Sequence, residues 1–204
     1  MKRLLPLLVF PVALAAGCVS SGPGSADAAA AVPASRPASF FSAGVVPPVQ
    51  IGAETSDVSG VRLGLPCVSH RDVEGLDLAL FSAKAAGSFS GVQVSGVCNG
   101  VGGGVRGVQA ALLSNRAGGT AQGLQLALCY DAAESLEGLQ VGALCYAASV
   151  DGAQIGLING ADSVRGVQIG VFNATRVLRG VQIGLSNYVQ ESGLPWFPIV
   201  NARF

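Results

Sequence analysis

His70 is the only histidine in the chain, so an imidazole-based metal site, catalytic dyad or triad would have to assemble around this one residue. It lies in Ser69-His70-Arg71-Asp72-Val73-Glu74, the most charged stretch of the mature part. Ser69 is its sequence neighbour and is poorly placed to meet the ring as a nucleophile. The segment reads as a polar loop between strands. The carboxylates Asp131, Glu134, Glu137, Asp151 and Asp162 are scattered singly at turn positions. They read as solvated turn residues, whereas general acid–base chemistry needs a positioned pair. The glycine-rich run from Gly100 to Gly107 has no Lys-Ser/Thr after it and no helical pattern, so it reads as a hairpin connection and not as a phosphate loop. No catalytic, metal-binding or cofactor-binding set emerges, and the expectation is a protein that is not an enzyme. One polar array stands out: Gln93, Gln109, Gln125, Gln140, Gln154, Gln168 and Gln182. Structurally it would be a hydrogen-bonded ladder on an inner face; functionally it would line a pore or a saccharide-binding surface.

The elements that carry these glutamines form an internal repeat. GLQVGALC from Gly138, GAQIGLIN from Gly152, GVQIGVFN from Gly166 and GVQIGLSN from Gly180 have leading glycines 14 residues apart. Looser copies start at Gly60, Gly75, Gly91, Gly107 and Gly123, at spacings of 15 and 16. Within a unit Val167, Ile169 and Val171 alternate with Gly166, Gln168 and Gly170, a period of two that makes each unit β. Extending the alternation puts Val164 and Phe172 on the glycine face and Arg165 and Asn173 on the apolar face. The strand would then be about ten residues long, with Gly160 to Ser163 as a turn.

Two architectures suit this period. An antiparallel β-meander closing into a barrel-like structure takes one strand and one hairpin per unit, and a β-solenoid or parallel β-roll takes one coil of 14–16 residues per unit. A coil of this size resembles the heads of trimeric autotransporter adhesins. The meander is favoured because a ten-residue strand leaves no room for a second one in the unit. Glycine and glutamine would then line a crowded polar lumen while Val, Ile and Leu face lipid. The cysteines separate the two folds. Cys129 and Cys145 are the sixth and seventh residues after Gly123 and Gly138, on neighbouring coils of a solenoid but at opposite ends of antiparallel strands. The meander predicts no bridge between them and leaves Cys67–Cys98 and Cys98–Cys129 no easy pairing.

The ends speak of export. Lys2 and Arg3 precede an apolar run from Leu4 to Ala16, too short to span a bilayer as a helix, so residues 1–17 read as a signal peptide. Leu14-Ala15-Ala16-Gly17-Cys18 resembles the lipobox of bacterial lipoproteins, with Ala15 at the usual leucine position. The resemblance implies lipidation of Cys18 and, with Val19 and not aspartate next, default sorting to the outer membrane. Residues 18–45, dominated by Ala, Ser, Pro and Gly, read as a flexible tether, and 46–204 as the β-repeat domain. Zero formal net charge on 12 basic and 12 acidic residues argues against nucleic acid as a partner, and the sequence points to no small-molecule substrate.

The G-h-Q-h-G-h-x-N unit, h being apolar, resembles a family of bacterial surface-repeat proteins found as outer-membrane proteins or lipoproteins. The resemblance covers Gly60 to Asn187 and supplies no catalytic residue. It departs at Arg62 and Asp77 in the glutamine position and at Ala79 and Ala127 in that of the second glycine, which puts register there in doubt. The last nine residues, Trp196, Val200 and the terminal Phe204 among them, resemble the C-terminal β-signal of outer-membrane barrels. That implies the barrel-assembly machinery as a partner beside outer-membrane lipid, although Pro195 and Pro198 fit a strand poorly. Lipidation joined to a barrel resembles the outer-membrane efflux channels. The expected role is a non-catalytic outer-membrane or surface structural protein; a small-solute channel and a surface adhesin built as a solenoid are the alternatives.

Overall fold

The computed structural model describes residues 38–46, 49–50, 57–64 and 67–204. All regular structure among them is β. Most coils contribute a long and a short strand. β3 (Asp57–Gly64), β5 (Val73–Ala79), β7 (Phe89–Ser95), β9 (Val105–Ala111) and β11 (Thr120–Ala127) are the long ones. β4 (Cys67–His70), β6 (Ser82–Ala85), β8 (Cys98–Val101) and β10 (Ser114–Ala117) alternate with them. Every successive pair of long strands, and of short strands, is parallel, as in Gly91↔Gly107 and Cys98↔Ser114. From Tyr130 the coils tighten to 14 residues and the chain runs as β12 (Tyr130–Ile169) and β13 (Phe172–Val189), paired in parallel with Gly166↔Gly180.

The fold is therefore a parallel β-solenoid, and the antiparallel meander closing into a barrel is corrected. The physical reason lies in the leading glycines. All nine, from Gly60 to Gly180, have φ between 121° and 145°, a conformation that bends the strand and is closed to residues with a Cβ. A Cβ on any leading glycine from Gly75 to Gly180 would also collide with the carbonyl oxygen of the leading glycine one coil earlier. Glycine here serves the coil corner, where backbone lies on backbone, and no barrel lumen is needed to explain it. The bend also resets the alternation: Val164 points inward, Arg165 outward, Gln168 inward, and after a second corner Phe172 points outward and Asn173 inward. The unbroken ten-residue strand does not exist, and Gly160 to Ser163 lie inside β12 instead of forming a turn. The Gly100–Gly107 connection turns a coil corner from β8 to β9, which pair in parallel with strands of neighbouring coils and not with each other, so it is not a hairpin.

Four inward columns fill the coil. Two are apolar: one includes Val73, Phe89, Leu136 and Leu178, the other Ala85, Ala117, Ala147 and Val189. The other two are the glutamine column and a column of asparagines, both fully buried. At the N-terminal end β1 (Ala38–Val46) continues the parallel stack on β3, with β2 (Val49–Gln50) folded back against it. β1 begins ahead of residue 46, inside the segment read as tether. At the C-terminal end β14 (Trp196–Arg203) reverses direction and lies antiparallel on β13. It closes the stack.

Candidate functional site

The glutamine side chains form one continuous, polarised chain of hydrogen bonds along the solenoid. Each Nε2 donates to the Oε1 one coil earlier, from Gln182→Gln168 to Gln109→Gln93, at 2.7–2.9 Å. Aligned amide dipoles reinforce one another in a low-dielectric interior. The donor end needs an acceptor, and Asp77 supplies one: Gln93 Nε2 donates to its Oδ2 at 2.8 Å. Arg62 then offsets the buried charge, its Nε donating to Asp77 Oδ1 at 2.7 Å and its Nη1 to the Lys84 carbonyl at 3.0 Å. The two departures at the glutamine position are in register, Arg62↔Asp77 and Asp77↔Gln93, and form the ladder's N-terminal cap. At the other end the Gln182 Oε1 and the Asn201 Nδ2 are buried and unbonded on paired residues.

The asparagine ladder runs the opposite way. Asn99 Nδ2 donates forward to Asn115 Oδ1, and Asn115 to Asp131 Oδ1, both at 2.9 Å; further on, Asn159 donates to Asn173 and Asn173 to Asn187, at 2.8 Å. Each Nδ2 of Asn99, Asn115, Asn159 and Asn173 also donates to a backbone carbonyl, such as that of Ile169 for Asn159. Between the two segments stand Asp131 and Cys145. Asp131 is fully buried, which corrects its reading as a solvated turn residue, whereas Glu134, Glu137, Asp151 and Asp162 are exposed. Burial pushes its carboxyl up to about 7, against the lowering effect of the Asn115 bond, and its Oδ2 has no partner. Burial, with the Asp131 charge beside it, pushes the Cys145 thiol up to about 12; its Sγ contacts the Ile155 carbonyl at 3.6 Å, where an asparagine amide would donate.

Two long faces look outward, divided by the glycine corner. The polar face carries the residue before each leading glycine, such as Glu74, Arg106, Gln122 and Arg165, and a column of Asp, Ser and Thr beside it. Arg106 donates to Gln122 at 3.0 Å and Gln122 to Glu137 at 2.7 Å, a surface chain over three coils. Shallow depressions of about 650 and 400 Å³ follow this face. The apolar face is a ridge formed by Val94, Leu126, Ile155, Ile169 and Ile183, beside a groove floored by Gly142, Gly156, Gly170 and Gly184. Leu128, Leu157 and Leu185 wall its far side. Depressions of about 760 and 450 Å³ lie along this groove and share Ala127, Leu128 and Val141.

The structure thus places all seven glutamines inside and brings them together. Trp196, Val200 and Phe204 sit exposed on β14 and at its end. Strict alternation fails there, because Phe197 and Ile199 are exposed as well and Ile199 has φ 69°. Cys18 and the His70 side chain lie outside the described residues. Cys129 and Cys145 are unbonded even though their coils are neighbours: their one-place offset turns Cys129 outward and Cys145 inward. Cys98 is disulfide-bonded, so the expectation of no easy pairing fails for it. The asparagine that ends the repeat unit, six or five residues after most of the glutamines as in Gln93–Asn99 and Gln168–Asn173, is buried in a column of its own, which corrects the placement of Asn173 on the apolar face. Comparison with family models, curated proteins and solved structures returned no match.

Proposed function

We propose that this chain is a non-catalytic surface protein of the bacterial envelope, an adhesin-type structural rod held at the outer membrane by lipid on Cys18. The observation that carries this reading is the filled interior. A channel needs a water-filled lumen, and here the glutamine and asparagine columns occupy the inside with fully buried, mutually bonded side chains. The two strongly perturbed groups, Asp131 and Cys145, are sealed in the same interior, where no substrate reaches them. Interaction is left to the outer faces. The polar one, a regular array of hydroxyls, carboxylates, amides and guanidinium groups, suits contact with an extended polar polymer. The resemblance of the repeat to surface-repeat lipoproteins and of Leu14–Cys18 to a lipobox supports the location.

The test is expression of the full chain in a Gram-negative host with labelled fatty acid. The expected outcome is a labelled, outer-membrane-associated protein that protease digests on intact cells, and an unlabelled Cys18→Ser variant. An unlabelled wild-type protein recovered in the soluble periplasm would refute the proposal.

A further inference from the structure

We infer that the apolar face is an interface with a second copy of this chain, set side by side and parallel. Ile155, Ile169 and Ile183 remain about 40% exposed, and Leu157 and Leu185 remain 59% and 74% exposed. The same ridge position continues upstream through Val94, Leu78 and Leu63, which are 37–40% exposed, so coils stacked about 4.8 Å apart make a patch roughly 40 Å long from Leu63 to Ile183 and roughly 17 Å wide. That is about 700 Å² per copy, above what a monomer ordinarily exposes and close to one partner's share of a standard interface.

Its relief identifies the occupant. The isoleucine ridge and the glycine-floored groove run next to each other, both along the solenoid axis and both with the coil repeat. A two-fold axis parallel to the solenoid exchanges them, so each copy's ridge enters the other's groove, an isologous contact. Matching a ridge of this period over successive coils requires an object of the same period, which a second copy is. A bilayer fits the rim less well. The column bordering the face mixes signs, with Glu74, Glu137 and Asp151 among Arg106, Arg165 and Arg179. Anionic headgroups call for a basic rim, while mixed polar groups are the ordinary border of a protein interface. The parallel arrangement also puts the β1 ends of both copies on one side, as two chains anchored in one membrane require. That last point alone rests on the proposed surface location; the relief and the rim do not.

The experiment is sedimentation equilibrium of the full chain carrying Cys18→Ser, so that lipid neither drives nor masks association. The expected mass is twice that of the monomer. Leu157→Lys/Leu185→Lys, at mostly exposed positions, should raise the dimer dissociation constant at least about 100-fold while leaving the far-UV spectrum unchanged. If those lysines disturb folding, the milder Leu157→Ser/Leu185→Ser pair replaces them and should still raise it measurably. Orientation is read from Ile183→Cys in a Cys129→Ser background. Mild oxidation should join the introduced thiols of the two copies in high yield, because parallel copies hold these ridge positions across the axis and antiparallel copies hold them at opposite ends. A wild-type chain that stays monomeric at about 100 µM overturns the inference, as does a monomer that floats with phosphatidylcholine vesicles. So does a dimer indifferent to the groove-wall variants, and failure of Ile183→Cys to cross-link overturns the parallel arrangement. Fatty-acid labelling is untouched by any of these results, so the surface reading stands or falls separately.

Discussion

Replacing Asp131 by asparagine should make the protein more stable at alkaline pH and almost no different at acid pH. At its place in the column a side chain must accept from Asn115, as Asp131 Oδ1 does at 2.9 Å, and donate to a carbonyl of the next coil, as its neighbours do. An ionised carboxylate does only the first. Protonated, it does both, and burial accordingly lifts the group from 3.8 to about 7. The folded state therefore keeps a proton that the unfolded chain releases, and stability falls as pH rises from about 4 to about 7 and is level beyond. At about 1.4 kcal/mol per pH unit the full penalty is about 4 kcal/mol, and local accommodation brings the expected gain of Asp131→Asn at pH 8 to about 2–4 kcal/mol. Urea unfolding followed by far-UV circular dichroism, at pH 4 and pH 8, measures it. The wild type should lose midpoint between the two and the variant should lose much less. Equal pH sensitivity in both proteins, or a variant weaker than wild type at pH 8, would show that Asp131 is not the titrating acid the column geometry demands.

The glutamine ladder predicts that position matters more than composition. Gln140→Leu removes the bonds to Gln125 and from Gln154 and strands one acceptor and one donor, a cost of about 2–6 kcal/mol, whereas Gln182→Leu strands only the Gln168 acceptor and should cost about half as much in the same unfolding assay. Iodoacetamide on the native protein should label Cys129, which is exposed, and spare Cys145, which is buried with its thiol pushed up to about 12; mass mapping that finds both labelled at equal rates would contradict the inward placement of Cys145.

Much of the repeat is legible in the sequence, and what is not has a physical cause. The period-two pattern of Val167, Gln168 and Ile169 gives β structure with glutamine on one side and aliphatic residues on the other. That pattern is the same whether the next unit runs parallel or antiparallel, so it is silent on topology. The information lies in phase. Gln168 and Asn173, five apart, both face inward, which an unbroken strand forbids and a coil with a corner between them permits. Gly166 marks the other corner through its φ of 137°, a property that glycine content suggests and only backbone geometry reveals. Arg62 and Asp77 look like decay of the repeat when read along the chain; across coils they terminate the polar ladder. Asp131 looks like a turn acid because nothing local to it says that Asn115 lies beneath it.

The two ends of the glutamine ladder differ from each other and from everything between them: an arginine–aspartate terminus on β3 and β5 at one end, a reversed strand at the other. Between them each tight coil repeats the same bonds as its neighbour, 14 residues further on. Such a molecule has no preferred length. Duplicating one coil in its regular stretch adds a fixed rise of about 4.8 Å, one link in each of the two amide ladders and one more tooth on each outer face, and asks no change of either end. The length of the solenoid can thus vary by whole coils through in-frame duplication alone, with the remaining structure serving every length equally.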